Sequence, residues 1–117
     1  MDKIEKLIEN DIFMESLEGV DSIEEKFKKE GVDIKNELFN ADSEELSESE
    51  LTEATGGAAI TLSGLWWLFQ IFATTKSLRK HINKLYKIIQ EVKQYGYPKS
   101  YQDELQQWWN KYLPPSY

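Results

Sequence analysis

Between Ala58 and Thr75 the chain runs for 18 residues without a charged side chain, and the run contains Leu65-Trp66-Trp67-Leu68-Phe69. So much contiguous apolar surface has to leave water, either in a protein core or at a membrane. Eighteen residues is at the short end for a membrane span. The segment that follows is amphipathic. Leu78, Ile82, Leu85, Ile89 and Val92 step by four, three, four and three, which predicts a helix over Lys76 to Lys93 with one apolar stripe. Lys76, Arg79, Lys80, Lys84, Lys87 and Lys93 take the other face, with Glu91 as its only acid. Tyr95-Gly96-Tyr97-Pro98 predicts a break. Ser100 with Asp103 predicts a cap for a last helix carrying Tyr101, Leu105, Trp109 and Tyr112, which Pro114-Pro115 would end.

The chain before this run is different. Ile4, Leu7, Ile8, Ile12 and Leu17 recur at near-helical spacing, with Gly19 as a stop. Ser22 and Glu25 read as a capping box for a helix carrying Ile23 and Phe27, which Gly31 would end. Leu38 and Phe39 close a further short helix. This apolar set is thin, so the segment is expected to be only weakly stable alone. Asn40 to Glu50 is acidic and serine-rich and reads as a mostly solvated linker. The expected fold is therefore all-α: a short, partly disordered acidic helical segment followed by a helical, aromatic-rich one.

Charge and aromatic content change at one dipeptide. Met1 to Gly57 holds 18 Asp/Glu against 6 Lys/Arg, a net charge of −12. Ala58 to Tyr117 holds 3 against 8, a net charge of +5. All four Trp and all six Tyr follow Gly57, whereas Phe13, Phe27 and Phe39 are the only aromatics before it. Such asymmetry predicts two segments with different jobs, residues 1–57 and 58–117.

The residues before that boundary carry the most information. In Leu46-Ser47-Glu48-Ser49-Glu50-Leu51-Thr52-Glu53-Ala54-Thr55-Gly56-Gly57, Ser47 and Glu50 form a capping box and Leu46 with Leu51 a hydrophobic staple. Leu46, Leu51 and Ala54 then share one face. A helix this short is marginal in water and is expected to order on binding. Gly56 and Gly57 present no side chain, so a narrow cleft can accept them where a Cβ would clash.

This pattern resembles the double-glycine leader peptides of bacterial precursors. It is Leu-Ser, two residues, Glu-Leu, two residues, a hydrophobic residue, one residue and Gly-Gly. Here Leu46-Ser47, Glu50-Leu51, Ala54 and Gly56-Gly57 meet it, although Ala54 stands where the family usually has a larger apolar residue. The upstream part resembles a shortened Nif-type leader, notably over Ile4 to Leu38 with its turns Glu18-Gly19-Val20-Asp21 and Lys29-Glu30-Gly31-Val32-Asp33. The resemblance covers about the first half of the chain. It implies a peptidase-containing ABC transporter as partner. Its cysteine-protease domain would grip Leu46, Ser47, Glu50, Leu51 and Ala54 and cut between Gly57 and Ala58. The remaining peptide would then be exported from a bacterial cytoplasm and secreted.

The exported part reads as bacteriocin-like. Trp66, Trp67 and Phe69 suit a membrane interface, and Lys76, Arg79 and Lys80 suit anionic headgroups. The alternative is a secreted signalling or interaction peptide folding as a soluble helical hairpin, with both stripes packed together. Met1 to Asp11 mixes acid and base and lacks the basic-then-apolar pattern of a Sec signal, so another export route is expected. With no cysteine, disulfides, thiolate metal sites and lanthionine rings are excluded. One histidine, His81, cannot make a multi-histidine metal site and reads as a polar-face helix residue. Asp103 and Glu104 are neighbours on an expected exposed face, so no enzyme activity and no cofactor are expected. No nucleic-acid partner is expected, because the acidic segment opposes the basic helix. Pro114-Pro115-Ser116-Tyr117 matches a WW-domain ligand pattern, but the prolines are read as a helix stop.

Overall fold

The computed structural model describes residues 2–39 and 60–113, and it is all-helical. Asp2 starts the first helix, its Oδ1 accepting from Glu5 N at 2.8 Å. Helix α1 spans Lys3–Ile8 and α2 spans Asp11–Glu15. The sequence spacing predicts one helix here. Instead Asn10 takes an extended conformation and caps α2, accepting from Phe13 N at 3.1 Å. The break turns Ile12 outward, where it is 84% exposed, and sends Met14 and Leu17 inward.

Helix α3 spans Val20–Lys29. The expected capping box at Ser22 is not formed. The helix begins earlier, with extended Gly19 as its N-cap, and Ser22 Oγ donates to Gly19 O at 2.8 Å. Ile23 and Phe27 are buried, as their spacing requires. Gly31, at φ +83°, ends the helix in the left-handed conformation that glycine adopts without strain. Helix α4 spans Ile34–Phe39.

Helix α5, Leu62–Thr74, is the centre of the fold. Thr61 caps it, its Oγ1 accepting from Gly64 N at 3.0 Å. The uncharged run is apolar over most of its circumference, and that surface must leave water. Leu65, Trp66, Leu68, Phe69, Phe72 and Ala73 are buried, while Ser63, Trp67, Gln70 and Thr74 lie along one half-buried side. Helices α2 and α3 pack on it from the first half of the chain, and two helices of the second half pack on it as well. Those are α6, Ile82–Tyr95, and α7, Gln102–Tyr112. No helix among the described residues is long and apolar enough to cross a membrane.

The basic stretch is not one helix. Lys76–His81 forms a 3₁₀ segment leading into α6. Arg79 folds back across the turn, its Nε donating to Ala73 O at 3.0 Å near the C-terminal end of α5. Within α6 the predicted stripe is buried, and Tyr86 and Ile88 widen it. Gly96, at φ +84°, ends α6. The expected Ser100–Asp103 cap is absent. Tyr101 is the N-cap of α7 with φ 56°, and Ser100 is taken by Glu91 instead.

Gly64 marks the closest approach of α5 to α7. A Cβ there would lie 2.3 Å from Cη2 and 2.6 Å from Cζ2 of Trp109. The Trp109 ring is rigid and buried, so it cannot swing aside. Gly64→Ala gains helix propensity of about 1 kcal/mol but overpacks this contact at a cost of about 1–3 kcal/mol. A lower urea midpoint than wild type is the expected result. A higher midpoint would mean that α7 does not seat against α5 this closely.

Candidate functional site

Every residue of the leader motif lies outside the described residues: Leu46, Ser47, Glu50, Leu51, Ala54, Gly56, Gly57 and Ala58. The structure does describe the residues on either side. Phe39 is buried, with its ring edge-on to Trp66 at 6.1 Å. Ile60 is fully buried. Both flanks of the motif segment are therefore fixed in one hydrophobic core. The expected cut after Gly57 would fall three residues before Ile60.

The two sequence halves meet over an aromatic seam. Phe27 of α3 sits 6.2 Å from Phe69 of α5, and Phe13 stands edge-on to Phe27 at 5.0 Å. Trp66 stacks on Phe69 at 5.8 Å with 11° between planes. The Lys35 ammonium lies 5.5 Å above the Trp66 ring. Polar contacts flank the seam. Tyr86 Oη donates to the Asp2 carboxylate, and Lys93 Nζ donates to the Glu37 carbonyl. Burial and the Asp2 carboxylate push the Tyr86 phenol well above its usual range. Burial alone would raise the Asp2 carboxyl, but the Tyr86 hydroxyl and the N–H groups of α1 hold it below its ordinary value.

The six residues expected at a membrane do not form one surface. Trp66 and Phe69 are buried, because Phe27 and Phe39 of the first half give them apolar partners. Trp67 is half-buried. Lys76 and Lys80 are exposed, while Arg79 is half-buried over the end of α5. The acidic pair is split as well. Asp103 is exposed, and Glu104 pairs with Lys84 at 2.9 Å. Among the described residues no group of three or more His, Cys, Asp or Glu is placed to hold a metal ion.

Two features went unread in the sequence. The first is a clasp at the α6–α7 turn. Glu91 accepts from Ser100 N and Ser100 Oγ, each at 2.7 Å, and from Lys99 N at 3.1 Å. Burial works to raise the Glu91 carboxyl, and these bonds hold it low. The clasp displays Tyr95, Tyr97 and Tyr101 on the surface. Lys99 lies 4.4 Å above the Tyr95 ring, and Lys84 and Lys87 lie about 5.4 and 5.5 Å from the Tyr101 ring. A lone acid within a basic face was the available signal.

The second is the place of His81. It is not on a polar face but half-buried, 5.6 Å from the Phe72 ring and 5.3 Å from the Trp108 ring. Burial, with Lys80 and Lys84 adding to it, lowers its pKa from the ordinary 6.5; Glu104 opposes them. The folded state thus binds this proton more weakly than the unfolded chain. His81 contributes stability that is complete above about pH 6.5 and is lost as pH falls through the lowered value. Thermal melts of wild type should lose Tm between pH 7 and pH 5, and His81→Phe should flatten that slope. Parallel slopes for the two proteins would remove His81 from the titration.

Comparison of the chain with protein families, with curated proteins and with solved structures finds no match.

Proposed function

We propose that this chain is the precursor of a secreted, bacteriocin-like peptide. A peptidase-containing ABC transporter reads its leader, cuts after Gly57 and exports the rest. The observation that carries the reading is a coincidence at one position. The twelve-residue double-glycine motif ends where net charge changes sign and aromatic content rises. The chain supplies no catalytic group in this reading. It is the substrate, and Leu46 and Leu51 provide most of the grip, each leucine being worth about 1.5–3 kcal/mol when buried.

Packing within the second half itself favours a second reading of the product's task. Helices α5, α6 and α7 share contacts of their own, among them Phe72 edge-on to Trp108 at 5.1 Å and to Tyr112 at 5.6 Å. In that reading the product works as a folded helical signalling or interaction peptide rather than by insertion into a bilayer. Leakage of anionic vesicles by the isolated product separates the two readings.

The export reading is tested by mass spectrometry of the medium from cells that make the precursor and its transporter. The expected species begins at Ala58. A precursor with both Leu46 and Leu51 replaced by alanine should remain uncut inside the cells. Release of that variant at the native rate would mean that the motif is not read.

A further inference from the structure

Scission at Gly57 breaks one peptide bond, but the two sides of that bond share one core. Eleven of the buried core side chains belong to residues 2–39 and sixteen to residues 60–113. We infer that the acidic half and the basic half stay together as a noncovalent complex after the cut. On this inference, which rests on the scission proposed above, α5 and α6 carry a protein-binding surface whose partner is the α1–α4 segment as a separate chain.

Three observations support that partner. The first is the aromatic seam, in which Phe27 and Phe39 of one half meet Phe69 and Trp66 of the other. Buried aromatic pairs of this kind dominate stable interfaces. The second is helix length. Helices α1 to α4 have 6, 5, 10 and 6 residues, below the length at which an isolated helix holds in water. They are ordered because α5 and α6 order them. The third is charge. Residues 2–39 hold 12 acids and 6 bases, and residues 60–113 hold 3 acids and 8 bases, so the halves attract. The Asp2–Tyr86 bond and the Lys93 bond to the Glu37 carbonyl cross the same boundary.

The consequence concerns release. The cut removes the tether and its effective concentration, not the interface. Trp66 and Phe69 then reach another surface only when the acidic half is pulled away or displaced. Traction by the exporter would do this, and so would an anionic membrane competing for the basic half. The acidic half is thus a physical cover for the aromatic face as well as a counter-charge.

The test uses the full-length chain with the recognition sequence of an unrelated site-specific protease in place of residues 41–45. The chain is cut to completion in mild urea, which is then removed. Because this nick does not use the double-glycine motif, its outcome is separate from that of the export reading. The expected result is one species on size exclusion in 0.15 M and in 1 M NaCl, with native mass spectrometry giving both fragments at one to one. Its Tm should rise with protein concentration, as mass action requires of a two-chain complex. In the nicked Phe39→Ala variant the complex should dissociate at a concentration at least tenfold higher than nicked wild type, while uncut Phe39→Ala keeps its helical circular dichroism. If that uncut variant does not fold, nicked Lys93→Met, which removes only a crossing hydrogen bond, serves with the same expected direction. Separation of the wild-type fragments at both salt concentrations would overturn the inference. Separation at 1 M NaCl alone would also overturn it, since charge rather than the aromatic seam would then hold the halves.

Discussion

Gly57→Val is expected to stop scission altogether while leaving the precursor able to dock on the exporter's peptidase domain. The docking contacts assigned by the leader pattern are Leu46, Leu51 and Ala54, all upstream of the change. What valine adds is a branched Cβ at the residue whose carbonyl is attacked. A protease cleft that takes two successive glycines has no room for it, and a misplaced carbonyl loses the near-attack geometry on which acyl transfer depends. The measurement is a cleavage time course of both precursors with the peptidase domain, followed by mass spectrometry. A competition arm, in which uncut Gly57→Val slows cleavage of wild type, reports docking. Circular dichroism and Tm provide the control for folding. Cleavage of Gly57→Val at the native position and rate would sink the cleft argument and the register drawn from it.

The largest expected loss of stability follows from Phe69→Ala. Phe69 is fully buried between Trp66, stacked at 5.8 Å, and Phe27 at 6.2 Å. Truncation of a buried phenylalanine costs about 3–5 kcal/mol, from lost apolar burial and the cavity left behind. That is a large share of the total stability of a domain this small. Each kcal/mol is worth about 4–8 °C in Tm at this size, so the variant should melt at least about 12 °C lower or be unfolded at room temperature. Ile12→Ala is the comparison. Ile12 is 84% exposed, and its loss should change stability by no more than about 0.5 kcal/mol. Because Phe69 touches α3 as well as its own helix, its truncation should also expose Phe27 and loosen the first half. A loss below about 1 kcal/mol would mean that the halves do not pack through this ring.

These two substitutions probe the two levels on which the chain is organised. In the proposed precursor, Gly57 belongs to a linear signal that another protein would read along the backbone. Phe69 belongs to a core that ignores the division at Gly57. The sequence boundary in charge and aromatic content marks a difference of task in the proposed precursor, yet it is not a boundary of folding. The acidic half supplies Phe27 and Phe39, two of its three aromatics, to the core of the basic half.

The all-helical class was legible because periodic spacing reports which face of a helix is apolar, and that face must be buried. The stripe from Ile82 to Val92, the pair Ile23 and Phe27, and the stops at Gly31 and Gly96 all follow from local rules. The proposed leader motif rests on the sequence alone, since its residues lie outside the described ones. What local rules could not supply was the partner of each face. The uncharged run from Ala58 to Thr75 announces that it must leave water but not where it goes. Only the tertiary structure decided that Trp66 and Phe69 turn to Phe39 and Phe27 rather than outward. Competing caps were decided there too. Asn10 broke a helix that spacing alone would continue, and Glu91 captured Ser100 before it could cap α7. The place of His81 between Phe72 and Trp108 likewise depends on two other helices. Burial is a property of pairs of surfaces, and one sequence segment carries only one surface of each pair.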